Sequence, residues 1–214
     1  MTRFGGIFAF FAKIVTKHNK LDINKKRNYK HMKRDCFYNF LEKLAKPVWI
    51  AVIVLVYLLF QYAFDGMFEA TTSHLNELSG STIPDLKFYY TPDQLKTVFQ
   101  NFGREGIDEY LDLQLVDMVY PLSYSLLLAV LLFIGYGKTK YRSVTWLPVV
   151  AAAADYTENF LIRSLAVRFP AFNETVARIA AFFTAWKWIF ITLSIVLVLG
   201  SFFAWIIKKL KPSA

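Results

Sequence analysis

The chain has 214 residues, of which 56% are hydrophobic and 18% aromatic, and a formal net charge of +9. That length allows one ordinary domain, and the apolar share exceeds what a soluble domain of this size can bury, which excludes a soluble globular protein and points to a bilayer. Nucleic-acid binding is excluded as well, because the basic residues flank a hydrophobic run instead of forming a patch on a folded face.

From Thr2 to Lys46 the chain carries twelve Lys and Arg residues, and residues 1–46 read as a basic cytoplasmic segment. Phe4 to Ala12 is an apolar run too short to span and without a convincing cleavage site, so it reads as an interfacial or extended stretch. Met32 is a candidate natural start, because the helical pattern becomes convincing only after it. Cys36 is the single cysteine, which leaves no internal disulfide and no Cys-based metal cluster, and no activating group accompanies the thiol.

The first expected span is Pro47 to Phe64, which has no charge and approaches the roughly 20 residues needed to cross about 30 Å of hydrocarbon. Residues 65–117 form the extracytoplasmic loop, where ten acids face only Lys87, Lys96 and Arg104. The Ser-, Thr-, Gly- and Pro-rich stretch from Thr71 to Pro84 predicts irregular loop. Thr91-Pro92-Asp93 predicts a helix start, with Thr as N-cap, Pro at the first helical position and an acid in the first turn. That helix covers about 92–102 and ends at Gly103. A second helix is expected from about Glu105 straight into the second span, 118–137.

The third span is placed at 144–167 and the fourth at 180–207, with residues 208–214 as a basic tail. Three basic segments agree in orientation: the N-terminal segment, the turn Lys138 to Arg142, and the tail. The connection from Arg168 to Arg178 falls on the opposite side and carries two arginines of its own, against that trend. The expected fold is therefore all-α: a four-helix transmembrane bundle, N-in and C-in, with a partly helical extracytoplasmic loop between spans one and two.

The candidate site consists of residues that a bilayer should reject, since a lone charge at a helix centre costs about 2.5–3.5 kcal/mol on insertion scales. Counting about 1.5 Å per residue puts Asp117, Arg163 and Lys187 roughly 28–32 Å above the cytoplasmic ends of their spans, near the outer boundary. Tyr124, Asp155, Glu158 and Asn159 lie roughly 18–24 Å up, and Tyr120 bridges the two layers. One helical face holds Asp117, Tyr120, Pro121 and Tyr124, and another holds Asp155, Glu158 and Asn159. The expectation is an outer-leaflet pocket in which Asp117 pairs with Arg163 or Lys187, above an Asp155/Glu158 pair bonded to Tyr124, Asn159 and Thr184. Lys187 either reaches down to this pair or leaves one carboxyl protonated. The plainer alternative is an ionic network that fixes helix register and does no chemistry.

Trp49, Trp146, Trp186 and Trp188 read as interface anchors, and Pro121 and Pro148 as first-turn or kink residues. The three histidines lie outside the spans. No phosphate-binding glycine loop or nucleophile elbow is present, and the sequence calls for no metal and no cofactor. Asn173 to Thr175 is a glycosylation sequon on the expected outer side.

The stretch from about Phe88 to Trp188 resembles small four-span membrane proteins without an assigned activity. The resemblance rests on Gly103-Arg104 with Tyr110, Asp117-x-x-Tyr-Pro with Tyr124, Asp155-Tyr-x-Glu-Asn159, and Thr184-x-x-Lys-Trp188. It implies the four-span fold and marks these polar residues, and it implies no reaction.

The leading functional expectation is a binding or accessory protein whose pocket takes a lipid or a partner's helix. The second is a membrane enzyme acting on a lipid or isoprenoid, with Asp155 or Glu158 as general acid/base and Arg104 or Lys187 holding an anionic headgroup. The third is proton or ion transport by an oligomer. The expected partners are the bilayer, a lipid ligand or a membrane protein, with oligomerisation open and no nucleic acid. The expected location is multi-pass in a membrane: the plasma (inner) membrane in a bacterium, an undetermined organelle in a eukaryote.

Overall fold

The structure is a computed structural model that describes residues 36–80 and 83–210. The Phe4–Ala12 run, the alternative start at Met32 and the end of the basic tail lie outside these residues. Among the described residues every regular element is helical. They are α1 (Cys36–Leu44), α2 (Pro47–Ser79), a 3-10 turn Pro84–Leu86, α3 (Pro92–Asp117), α4 (Tyr120–Tyr136), a 3-10 turn Arg142–Trp146, α5 (Leu147–Arg168) and α6 (Glu174–Leu210).

Two runs are long and apolar enough to cross a membrane, Pro92–Tyr136 and Glu174–Leu210. A third qualifies if α1 and the first part of α2, bent by 86°, count as one span. Pro47 explains the bend: it has no N–H to continue a helix from α1, and it forces Lys46 into an extended conformation (φ −75°, ψ 146°).

The expected irregular stretch after Thr71 is corrected in part. Helix α2 runs on to Ser79 and stops at Gly80, whose φ of 63° suits a residue without a Cβ and whose N–H bonds the Glu77 carbonyl. Weak local propensity is overridden here by packing. Leu75 is fully buried in an apolar core with α3, Leu78 lies against that core, and His74 bonds Glu109 on α3 at 2.9 Å.

Helix α3 begins as its sequence predicts. The Thr91 hydroxyl accepts from the Gln94 N–H at 3.2 Å, while the Gln94 side chain accepts from the Thr91 N–H at 2.8 Å. Gly103 (φ 62°, ψ −165°) interrupts the run where a helix end was expected. The passage into the second span is not straight, because the helix breaks between Asp117 and Tyr120. Pro121 can donate no hydrogen bond to the Asp117 carbonyl, and the Tyr156 hydroxyl donates to the Met118 carbonyl there at 2.8 Å. Helix α5 starts three residues later than expected, after the 3-10 turn, and α6 extends past both expected ends of its span.

Two apolar cores form. The first gathers the distal half of α2, α3, the end of α5 and the start of α6 around Leu75, Phe99, Phe102, Tyr110, Ile162 and Ala181. The second joins α1, the start of α2 and α4 through Leu41, Ile50, Ile53, Val130 and Phe133. Between them, α5 and α6 bring small faces together, Ala151 and Ala154 on one helix and Ala177, Ala180 and Ala181 on the other, all buried. Small residues let backbones approach closely, and this brings the polar side chains one turn further along each helix into contact.

Candidate functional site

Asp155 and Glu158 lie three residues apart on the buried face of α5, and Thr184 and Lys187 have the same spacing on α6. The Lys187 ammonium sits between the two carboxylates, 3.1 Å from Asp155 Oδ1 and 2.6 Å from Glu158 Oε2. Each remaining carboxylate oxygen accepts from a hydroxyl: Tyr124 Oη donates to Asp155 Oδ2 at 3.1 Å, and Thr184 Oγ1 donates to Glu158 Oε1 at 2.7 Å. Glu158 and Thr184 are fully buried, and Asp155 and Lys187 are 4% exposed. Hydrogen bonds to charged groups are among the strongest a protein makes, and in this low-dielectric position they hold α4, α5 and α6 together.

A second layer lies one turn further along α5, toward the end of α3. Asn159 Nδ2 donates to Asp117 Oδ2 at 3.4 Å, and Gln114 Nε2 donates to the Asn159 carbonyl at 3.2 Å. Arg163 donates to the Leu111 carbonyl at 3.0 Å. Of the two cations expected near Asp117, Lys187 is held by the Asp155 and Glu158 carboxylates and Arg163 donates to a backbone oxygen. Tyr120 packs edge-on to Tyr124 (5.5 Å between ring centroids) and against Phe60 of α2 (6.2 Å), linking the first apolar helix to the network.

Of the sequence candidates, Tyr124, Asp155, Glu158, Thr184 and Lys187 converge directly, and Asp117, Asn159, Tyr120 and Arg163 surround them. Arg104 does not join them. Its side chain is 80% exposed and it pairs with Asp108 at 3.4 Å, on the outer part of α3. Gln114 was missed, although its place one turn before Asp117 on the same face is the signal that finds it; it is buried to 1% exposure.

The carboxylates are buried and enclosed by these partners. A crevice of about 340 Å³ lies elsewhere, at the turn from α5 to α6, lined by Ser164, Leu165, Arg168, Phe172, Asn173 and Val176 among others. No group of three or more His, Cys, Asp and Glu among the described residues is arranged to hold a metal ion.

Compared with protein-family profiles, curated proteins and solved structures, the chain matches none.

Proposed function

We propose that the chain is a four-span integral membrane protein with both ends cytoplasmic, serving as a binding or accessory component that engages a lipid or a partner helix at the outer ends of spans two to four. Helix α5 falls short as a span on hydropathy because of Asp155, Glu158 and Arg163. Two of these are buried among partners, which offsets the insertion cost. Its outward residues Val150, Phe160 and Val167 are exposed and apolar, as lipid contact requires. The orientation is supported by the meeting of α1 with the basic turn: Arg142 lies 4.5 Å from the Tyr38 ring and Phe37 packs on Trp146 at 4.0 Å. Lys138, Lys140 and Arg142 thus share one end with α1, the side that favours Lys and Arg.

The observation that carries the binding reading over the enzymatic one is the state of the two carboxylates. A general acid must come within hydrogen-bond reach of its substrate, whereas Asp155 and Glu158 are enclosed and held by Lys187, Tyr124 and Thr184. They fix α5 against α6 and so shape the outer surface that these helices share.

The test replaces the network with neutral side chains, Asp155→Asn, Glu158→Gln and Lys187→Met together, so that no lone buried charge remains. The expected result is a chain that still inserts but loses its copurifying lipid or protein partner. Full retention of every partner by the inserted variant would refute the reading. Turnover of a lipid by the purified protein, abolished by Glu158→Gln alone, would replace it with the enzymatic one.

A further inference from the structure

The turn from α5 to α6 departs from the charge rule that the rest of the chain follows. Lys and Arg are disfavoured in short outer connections of membrane proteins, yet Arg168 ends α5 and Arg178 lies in the first turns of α6, on either side of a five-residue turn. Arg178 is accounted for by Glu174, one turn earlier on α6, at 3.9 Å. Arg168 ends α5 and is exposed at the rim of the 340 Å³ crevice.

The crevice is amphipathic in the way a phospholipid is. Arg168 and Asn173 supply polar groups at its mouth, and Leu165, Phe172 and Val176 supply an apolar wall. Asn173 Oδ1 accepts from the Val176 N–H at 3.1 Å, which secures the first turn of α6. The turn is also fixed from behind: Phe169 and Phe172 meet the fully buried Phe99 edge-on, at 5.9 and 6.4 Å between centroids. On the same two helices, Phe160 and Val167 of α5 and Ile179, Phe182 and Trp186 of α6 are exposed, apolar surface of the kind acyl chains cover.

We propose that this crevice binds the phosphate of an anionic outer-leaflet phospholipid, with Arg168 as its cation and the exposed faces of α5 and α6 receiving the chains. The proposal rests on the four-span reading and moves the lipid site away from Asp155 and Glu158 to the α5–α6 turn. A guanidinium matches a phosphate through two parallel hydrogen bonds, and the crevice volume suits a phosphoglycerol group and excludes a whole lipid.

The test uses full-length protein released from membranes and native mass spectrometry with phosphatidylglycerol as probe, and phosphatidylcholine and inorganic phosphate as comparison arms. The expected result is one retained phosphatidylglycerol per chain, reduced about tenfold by Arg168→Gln, equivalent to about 1.4 kcal/mol. Ala171 also lines the crevice and is exposed, so Ala171→Trp should fill the crevice and remove the lipid while leaving the melting temperature unchanged. Equal retention by both variants, equal binding of phosphatidylcholine, or displacement of the lipid by millimolar inorganic phosphate would each overturn the proposal. Loss of lipid from the Arg168→Gln chain alone, with none from the network triple variant, would uphold the crevice and overturn the role given to the buried network.

Discussion

Lys187→Met probes what holds the bundle together. The ammonium lies 3.1 Å from Asp155 and 2.6 Å from Glu158, and at an effective dielectric of about 20 these separations correspond to gross attractions of about 5 and about 6 kcal/mol. Desolvating each ion costs several kcal/mol, so the pair contributes far less than that sum; removing one partner alone, however, leaves buried charge uncompensated and costs about 3–5 kcal/mol. Methionine keeps most of the lysine volume, so little of the loss comes from a cavity. Adding Asp155→Asn and Glu158→Gln should then recover most of that loss, because neutral amides remain hydrogen-bonded to Tyr124 and Thr184 without an uncompensated charge. The assay is reversible unfolding in mixed micelles with increasing SDS, followed by helical circular dichroism. A single variant that loses under about 1 kcal/mol, or a triple variant as unstable as the single, would refute a charge-locked core.

Three further outcomes are expected. Gly103→Ala should destabilise the chain by about 1–3 kcal/mol, because φ 62° with ψ −165° is almost closed to other residues; Gly80→Ala, in the milder left-handed region (φ 63°, ψ 15°), should cost less in the same unfolding assay. His74 has its pKa raised above 6.5, first by its hydrogen bond to Glu109 and then by that carboxylate's charge. A folded-state pKa above the unfolded value gives stability that is complete below about pH 6.5 and lost as pH rises through the folded value. The melting-temperature gap between the wild type and His74→Gln should therefore be widest in mildly acidic buffer and close in alkaline buffer, and a gap that grows with pH would contradict the pairing. Cys36 is exposed at the start of α1 and is the single cysteine, so it reports topology: an impermeant maleimide should label it in inside-out vesicles and spare it in right-side-out ones, and the opposite pattern would reverse the orientation.

What the sequence revealed and what it hid follow from how local each determinant is. The α3 start was legible because Thr91, Pro92 and Gln94 act within a single turn, and Gly103 because its backbone requirement is its own. Asp155, Glu158, Thr184 and Lys187 were legible because a charge in an apolar helix must find a partner, and one-turn spacing fixes the face on which it looks. Depth along a helix was a weaker guide. It set Asp117 level with Arg163 and Lys187, whereas Lys187 lies between the two lower carboxylates and Arg163 donates to the Leu111 carbonyl. Arg104 stood out as a conspicuous cation, yet just after the Gly103 break it is exposed and pairs with Asp108. Thr71 to Ser79 read as loop because propensity describes an isolated segment, whereas Leu75 and His74 gain partners on α3 that no local pattern contains. The α5–α6 crevice was hidden for the same reason: its walls come from both helices, and Phe99, from far earlier in the chain, holds the turn in place. Its one trace in the sequence was an anomaly of sign, two arginines where the expected topology disfavours them. In a chain whose strongest signal is hydropathy, such residues out of keeping with the pattern identify both the buried lock at Lys187 and the exposed cation at Arg168. Burial separates the two: a charge held within the bundle stabilises it, and a charge left exposed at the α5–α6 turn is the one the proposed ligand would meet.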